Sequence, residues 1–314
     1  MTFPRIATVV LSLLILSSGP SSADEPPERR ITKAGDYSFT IEHDGLPRSY
    51  LVHVPPGYDP GHATPLLVSL HGGGAHMQYQ ANDRVYGQIS KSDREGFIVV
   101  FPNGYSRSAS GRLATWNAGR CCGPARDRKV DDVGFIREMM ATLTQQLNID
   151  RQKIFATGMS NGGLMAHRLA CEMSDTFKAI APVAGTDNTE RCDPKNPVSV
   201  LQIHARNDDH VPFEGGMGPK SLAAAVTDFT SVPESISRWV RRNGCNTTPK
   251  RVLEKPGAYC EAYSPCRGNA EVELCVTDSG AHSWPGGTKS RASEPPSQAI
   301  SANDVMWDFF MSRH

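Results

Sequence analysis

The chain has 314 residues, and its 33 lysine and arginine side chains are balanced by 33 aspartate and glutamate side chains. This neutral balance, without a basic block, excludes a nucleic-acid-binding protein, because affinity for DNA or RNA depends largely on cations that neutralise phosphates. Hydrophobic residues make up 39% and charged residues 21% of the chain, which excludes a disordered protein and allows one large folded domain.

The first 23 residues have the pattern of a secretory signal peptide. One cation, Arg5, precedes an apolar run over residues 6–16, and the segment ends in the small residues Ser21-Ser22-Ala23. The run is too short for a transmembrane helix, which needs about 20 apolar residues. We therefore expect a secreted protein with no membrane insertion after signal removal, and a flexible, charged leader over residues 24–36.

The folded domain is predicted over residues 37–314. Residues 37–42 and 49–54 alternate between polar and apolar side chains, as antiparallel strands do, with a turn at Asp44-Gly45. Short continuous apolar runs follow, which are typical of strands buried on both faces of a parallel sheet. These runs cover residues 66–70, 97–101, 153–156, 179–184 and 198–203.

Between most of these runs lie stretches with helical periodicity. They cover residues 80–94, 132–147, 162–173, 233–242 and 299–311, and Asp131 or Asp132 is the predicted N-cap of the second. Strands that alternate with helices predict an α/β fold with a mostly parallel central sheet and helices on both faces. Because no Ser- or Pro-rich linker follows residue 36, we expect a single domain.

A Gly-x-Ser-x-Gly motif lies between the strand predicted over residues 153–156 and the helix that follows it. It reads Gly158-Met159-Ser160-Asn161-Gly162-Gly163. Glycines two positions on either side allow a turn so sharp that the serine hydroxyl is exposed. The helix N-terminus next to Ser160 favours the negative charge that develops in acyl transfer, so Ser160 is the predicted nucleophile.

Glycines also follow the strand predicted over residues 66–70, in the run Leu70-His71-Gly72-Gly73-Gly74. Such glycines allow backbone N–H groups to turn toward a substrate carbonyl oxygen. We predict that the N–H groups of Gly73 and Asn161 form an oxyanion hole. The alternative is an ordinary glycine-rich turn.

A serine nucleophile needs a base and a carboxylate that orients the base. Among the ten histidines, His282 lies in a turn-rich loop after a strand predicted over residues 271–276, and is the predicted base. The expected chain order is serine, acid, histidine, and both Asp208 and Asp209 have a suitable position. His204 ends a buried strand and is interpreted as a core or supporting residue.

An even number of cysteines in a secreted protein predicts disulfide bonds, whose pairing cannot be read from the sequence. We expect one or two bridges within residues 245–275 and consider Cys171–Cys192 a suitable pair. The pairing of Cys121 and Cys122 stays open. A zinc site is disfavoured, because no CxxC pair or paired-histidine spacing accompanies the cysteines. The eight are Cys121, Cys122, Cys171, Cys192, Cys245, Cys260, Cys266 and Cys275.

From about residue 37 onward, the sequence resembles the secreted α/β-hydrolase esterases described as polyhydroxybutyrate depolymerase-like or feruloyl esterase, the first carbohydrate esterase family. Five motifs carry the resemblance, in order: His71-Gly72-Gly73-Gly74; Trp116-Asn117-Ala118-Gly119-Arg120-Cys121-Cys122-Gly123 with Val130-Asp131-Asp132-Val133-Gly134-Phe135; Gly158 to Gly163; His204 to Pro212; and Gly280-Ala281-His282-Ser283-Trp284-Pro285-Gly286. In the family's acid motif, His-Gly-Thr-x-Asp-x-x-Val-Pro, the fifth residue is the catalytic acid. Asp208 occupies that position, while Ala205-Arg206 replaces Gly-Thr.

The resemblance implies two-step ester hydrolysis through an acyl-enzyme. Ser160 attacks, His282 takes its proton and Asp208 holds the imidazole, while Gly73 and Asn161 stabilise the oxyanion. This chemistry needs no metal and no organic cofactor.

The substrate is expected to be an ester. Trp116 and Trp284 are predicted to line the acyl or sugar site, with ordinary packing as the alternative. Because no separate surface-binding module is apparent, feruloyl or acetyl esters of plant cell-wall polysaccharide are favoured. Oligoesters of 3-hydroxybutyrate are the alternative, and a non-catalytic binding protein on a hydrolase scaffold is a remote one.

Overall fold

One ten-stranded sheet organises the protein. The structure is a computed structural model that describes residues 30–218, 227–288 and 294–312, so the predicted signal peptide lies outside the described residues. The strands are β1 Gly35–His43, β2 Leu46–Val54, β3 Thr64–Leu70, β4 Ile98–Pro102, β5 Ile149–Met159, β6 Ala179–Val183, β7 Ser199–Ala205, β8 Lys250–Lys255, β9 Ala258–Tyr263 and β10 Val272–Thr277.

The strand order is β1-β2-β4-β3-β5-β6-β7-β10-β9-β8. The central strands from β4 to β10 in this order pair in parallel, and antiparallel pairs flank them on both sides. The prediction of a mostly parallel sheet is confirmed. The hairpin β8–β9 was not predicted, because its strands are short and β8 is mostly exposed, without a buried apolar run.

The helices occupy the connections between the strands. They are α1 Met77–Gln80, α2 Asp83–Tyr86, α3 Gln88–Glu95, α4 Gly123–Asp127, α5 Asp132–Gln146, α6 Asn161–Glu172, α7 Val232–Asn243 and α8 Ala302–Met311, and a 3₁₀ turn covers Arg267–Asn269. The single helix predicted over residues 80–94 is wrong, because Gly87 adopts a left-handed φ of 65° and ends α2. Among the described residues, no helix has the length and apolar character needed to cross a membrane.

Apolar side chains cover both faces of the sheet. Leu66 and Val68 of β3 belong to one cluster, together with residues of α5, α6 and α7. The intervening Leu67 points to the other face and packs in a second cluster with residues of α1, α2 and α8. This alternation confirms the prediction of helices on both faces of the sheet.

The N-terminal part of the described chain is more ordered than predicted. Ile31 is buried, and its N–H donates to the carbonyl of Gln146 at the end of α5. Strand β1 begins at Gly35, inside the leader predicted over residues 24–36. The leader prediction is therefore wrong for residues 30–36, because a single buried isoleucine among charged residues gives no periodic signal.

All eight cysteines are paired. The predicted bridge Cys171–Cys192 is present and joins the end of α6 to the following loop. Two bridges, Cys245–Cys266 and Cys260–Cys275, lie in the C-terminal stretch, as predicted. The adjacent Cys121 and Cys122 pair with each other in the buried loop before α4.

A buried ion pair joins β2 to the start of α5. The Arg48 guanidinium contacts the Asp132 carboxylate at 2.5 Å, with 3% and 0% of these side chains exposed. Asp132 also accepts from the N–H of Asn117 at 2.7 Å. Asp131, and not Asp132, caps α5 by accepting from Gly134. Asp132 therefore anchors the loop after Trp116.

Removal of Arg48 should strongly destabilise the protein. In Arg48→Met the Asp132 carboxylate stays buried without its counter-ion, so we expect a loss of about 3–5 kcal/mol in the free energy of unfolding. Arg251→Met removes pairs with Glu254 and Glu261 and a contact with the Tyr259 ring, but the arginine side chain is 41% exposed, so the cost should be about 1 kcal/mol or less. Urea unfolding of both variants measures the difference. Equal losses of unfolding free energy in the two variants would show that the buried Arg48–Asp132 pair stabilises the protein no more than an exposed pair does.

His43 should make stability depend on pH. Partial burial alone would lower its pKa, but hydrogen bonds with Glu138 at 2.8 Å and Asp131 at 3.2 Å outweigh burial and raise the pKa above 6.5. The charged imidazole therefore adds stability below pH 6.5, which is lost as the pH rises through the folded-state pKa. Both carboxylates are about half exposed and screened by solvent, so the gain is small.

We expect His43→Asn to lower the free energy of unfolding by about 0.5–1 kcal/mol more at pH 5 than at pH 9. Urea unfolding at both values tests this. The matched control is His62→Asn, which removes an ion pair with Asp59 between side chains that are 85% and 58% exposed. At pH 5 it should cost less than His43→Asn, because exposed ion pairs contribute little. A loss of stability in His43→Asn that is larger at pH 9 than at pH 5 would contradict a raised pKa of His43.

Candidate active site

The three residues predicted for catalysis follow strands of the parallel block. Ser160 follows β5, Asp208 follows β7, and His282 follows β10. In the sheet, β6 separates β5 from β7, and β7 pairs directly with β10. Because parallel strands end at one edge, the three loops lie at the same edge of the sheet, where α/β proteins bind their ligands.

The turn at Ser160 has the strained geometry of a nucleophile elbow. Ser160 has φ 56° and ψ −121°, an unfavourable conformation for a residue with a side chain. A Cβ on Gly158 would lie 2.4 Å from the carbonyl carbon of Gly162, and a Cβ on Gly162 would lie 2.2 Å from the carbonyl oxygen of Leu70. Only glycine fits at these two positions, which explains the motif.

The glycine loop after β3 lies against this elbow. A Cβ on Gly72 would lie 3.6 Å from the Ser160 Cβ, and one on Gly73 would lie 3.4 Å from the Asn161 Cβ. The Asn161 side chain holds the neighbouring loop, because its Oδ1 accepts from Trp116 N at 2.7 Å and its Nδ2 donates to Trp116 O at 3.0 Å. Among the described residues, the N–H of Asn161 has no acceptor. The structure thus brings both predicted oxyanion donors together beside Ser160.

Asp208 is held by its own loop. Its Oδ1 accepts from the N–H groups of His210 at 2.8 Å and Val211 at 2.9 Å. Burial alone would raise the pKa of Asp208, but the nearby His282 and the hydrogen bonds from His204 and His282 outweigh burial and hold the pKa well below its usual range. Asp208 is therefore a buried carboxylate that favours the ionised form and accepts from several donors.

His282 contacts this carboxylate directly. Its Nδ1 lies 2.9 Å from Asp208 Oδ2 and 3.1 Å from Oδ1. The two loops are also joined by a hydrogen bond from the N–H of Ala281 to Asn207 Oδ1 at 3.0 Å. The structure therefore pairs His282 with Asp208, whereas Asp209, the other candidate acid, pairs with His210 at 2.7 Å.

Ser160 is not joined to His282 by a hydrogen bond. Its hydroxyl has no hydrogen-bond partner among the residues that the structure describes. Contacts between a nucleophile and its base are often long in structures without substrate and shorten in the complex. The structure places the strained turn at Ser160 and the Asp208–His282 pair at one edge of the sheet. This arrangement can carry out acyl transfer.

The two tryptophans lie differently from the prediction. Trp116 is 0% and Trp284 is 2% exposed, so neither indole presents a face to a substrate in this structure. Trp116 Nε1 donates to the carbonyl of His71 at 2.9 Å, which ties its loop to the glycine loop. The ring of Trp284 packs edge-on against Tyr86. A sequence shows that an aromatic residue is near the site, but not which way the ring points.

Two further histidines, His71 and His210, support the site through contacts that were not predicted from the sequence. The ring of His210 stacks on His282 with centroids 4.7 Å apart. His71 accepts from the N–H of Gly104 at 2.9 Å and so fixes the glycine loop. These contacts join residues far apart in the chain, and no local pattern signals them.

Comparisons with known proteins point to esterases. Residues 45–243, more than half of the chain, match the model of a family described as "Putative esterase". This match includes Ser160 and Asp208 and ends before His282.

Two relatives carry feruloyl esterase names. The chain is 31% identical to "Feruloyl esterase B" of Piromyces equi over 243 residues, which cover 75% of this chain and 42% of that protein, so it spans less than half of that relative. It is 30% identical to "Probable feruloyl esterase C" of Aspergillus clavatus over 274 residues, 84% of each chain. The solved structure of an acetyl xylan esterase from Aspergillus awamori matches with a TM-score of 0.58, at 14% identity over 88% of this chain and 99% of that one. At this identity the structural match supports the α/β-hydrolase fold alone.

Proposed function

The chain belongs to this esterase family and is a carboxylic ester hydrolase, and from this premise we propose that it is a serine esterase with Ser160, Asp208 and His282 as its catalytic residues. The observation that carries the proposal is the buried Asp208–His282 pair, 2.9 Å apart, at the sheet edge that also holds the strained elbow at Ser160. An isolated Asp–His pair is common in proteins, but its combination with an elbow that only glycines permit is specific to acyl transfer.

In the proposed mechanism, His282 Nε2 takes the hydroxyl proton of Ser160 as the oxygen attacks the ester carbonyl. Asp208 accepts from Nδ1–H, keeps that proton on the side away from the serine, and stabilises the imidazolium. The N–H groups of Gly73 and Asn161 stabilise the tetrahedral oxyanion. His282 then protonates the leaving alcohol, and water releases the acid from the acyl-enzyme by the same steps in reverse.

For the substrate, we propose feruloyl or acetyl esters of plant cell-wall polysaccharide. The support is that two relatives at about 30% identity are named feruloyl esterases. Oligoesters of 3-hydroxybutyrate have no comparable support among these relatives, and they enter the test as a competing outcome.

We also propose that the protein is secreted after cleavage behind Ala23. Four disulfide bonds involving all eight cysteines support this, because disulfides of this density are stable in oxidising compartments and rare in the cytosol. The apolar run before Ala23 is the second support.

The deciding experiment is turnover by residues 24–314 of methyl ferulate, acetylated xylan and a 3-hydroxybutyrate trimer, compared by kcat/KM. We expect a preference for the feruloyl or acetyl ester, and we expect Ser160→Ala to abolish it. A higher kcat/KM on the trimer would overturn the substrate proposal but not the esterase mechanism. Turnover that persists in Ser160→Ala would overturn the mechanism.

A further inference from the structure

A series of buried hydrogen bonds leads from helix α7 to His204, which lies next to the carboxylate of Asp208. Trp239 Nε1 donates to His167 Nδ1 at 2.9 Å. His167 Nε2 lies 3.1 Å from Gln202 Oε1, and Gln202 Nε2 lies 3.2 Å from His204 Nδ1. His204 Nε2 lies 3.3 Å from Asp208 Oδ2. The first three residues are fully buried and His204 is 1% exposed, so bulk water does not compete for these bonds.

The chemistry of the first member fixes the direction of every bond. An indole N–H only donates, so His167 Nδ1 accepts and its proton is on Nε2. That proton goes to the amide oxygen of Gln202, which leaves the amide NH₂ facing His204. His204 Nδ1 therefore accepts, and its proton is on Nε2. Reversal of the Gln202 amide would place its NH₂ against the N–H of His167, so two donors would face each other. Only one arrangement of donors and acceptors therefore satisfies the whole series.

The far end of the series agrees with this order. His204 Nε2 faces two acceptors, the carbonyl of Val211 at 2.8 Å and Asp208 Oδ2. A neutral imidazole with its proton on Nε2 satisfies both, whereas the other tautomer would turn a lone pair toward a carboxylate. Burial also lowers the pKa of His167, which keeps the middle of the series uncharged. A neutral imidazole of fixed orientation thus lies 3.3 Å from the carboxylate oxygen that contacts His282, while its N–H is held by the carbonyl of Val211.

We propose that Trp239, His167 and Gln202 are positioning residues that act through His204 on the catalytic acid. They hold His204 in the Nε2–H tautomer, and His204 in turn holds Asp208 Oδ2 in line with His282. The inference rests on the proposed role of Asp208 and extends it to helix α7. It gives a functional reason for four polar groups in the core, where apolar side chains would be enough for packing. They belong to Trp239, His167, Gln202 and His204.

The ring nitrogen shifts of ¹⁵N-labelled histidine test the order of protons without reference to activity. In the unmodified protein at pH 7, we expect neutral Nε2–H forms of His167 and His204. A charged His204, or an Nδ1–H form, would overturn the proposal whatever the variants do. Because this readout does not involve turnover, it also stands apart from the Ser160→Ala test of the proposed function.

The matched variants are Trp239→Phe and Trp307→Phe. The first removes the initial donor and keeps an aromatic ring, while the second changes a buried indole of α8, 5% exposed, that is outside the series. We expect Trp239→Phe to lower kcat about three- to thirty-fold with KM within about two-fold, and to mix the tautomers of His204. Trp307→Phe should leave the kcat and the tautomers unchanged. Equal kcat values in the two variants would overturn the proposal, and if Trp239→Phe does not fold, the tautomer measurement on the unmodified protein decides.

Discussion

Ser160→Ala is expected to lower kcat by about 10⁶, the largest effect of any single substitution in this protein. The variant keeps the elbow, the oxyanion donors and the Asp208–His282 pair, but it has no oxygen that can form the acyl-enzyme. Alanine differs from serine by one atom, and the Ser160 hydroxyl makes no hydrogen bond among the described residues. The fold should therefore persist, and the loss should appear in kcat and not in the thermal midpoint.

The matched control for this variant is Ser174→Ala, another serine of low exposure, just beyond the end of α6. Its turnover should stay within about two-fold of the unmodified enzyme. A serine-reactive acylating probe gives a second readout, because it should label the peptide that contains Ser160 and no peptide of Ser160→Ala. Comparable losses in both serine variants would show that the effect comes from the fold and not from the nucleophile.

Much of the fold could be predicted from the sequence, because buried parallel strands leave continuous apolar runs. The runs at residues 66–70 and 179–184 correspond to β3 and β6 within two residues. The helix predicted over residues 80–94 failed at Gly87, where the sequence allows either a helix or a left-handed break. Only tertiary contacts decide between these, since glycine is permissive in both conformations.

In the site, too, features that depend on neighbouring residues could be predicted, whereas contacts between residues far apart in the chain could not. The turn at Ser160 is encoded by adjacent glycines and is therefore visible in the sequence. The choice between Asp208 and Asp209 depended on a family motif, because both follow the same strand. The series from Trp239 to His204 was not predictable, since it depends on which faces of α6 and α7 pack over β7. These contacts have a clear physical basis in the structure, but no periodicity in the sequence predicts them.

Asp208→Asn should lower kcat about 10⁴-fold and leave the fold intact. The N–H groups of His210 and Val211 at 2.8 and 2.9 Å require an oxygen at the Oδ1 position, so the new amide must place its NH₂ where Oδ2 was. That NH₂ faces His282 Nδ1, 2.9 Å from Oδ2 in the unmodified protein. His282 must then accept at Nδ1 and carry its proton on Nε2, where it cannot take a proton from Ser160.

The depressed pKa of Asp208 adds a prediction about pH. A carboxyl group with a lowered folded-state pKa adds stability above its unfolded pKa of 3.8, and this stability is lost only as the pH falls through the folded value. The stability that the carboxylate contributes should therefore decrease as the pH falls below about 4. Urea unfolding of the unmodified protein and of Asp208→Asn from pH 6 down to pH 3 measures this difference. An advantage of the carboxylate over the amide that grows as the pH falls would contradict a lowered pKa of Asp208.

Asp209→Asn is the matched control, since it changes the adjacent residue in the same way. Asp209 pairs with His210 and not with His282, so we expect its loss to stay within about ten-fold. The two aspartates are neighbours on one loop, and general damage to that loop would affect both variants alike. If Asp209→Asn lost as much activity as Asp208→Asn, the assignment of the acid would fail, even though Asp208 lies against His282. A difference of about a thousand-fold between the two would assign the orienting carboxylate to Asp208, because only that side chain fixes the tautomer of the base.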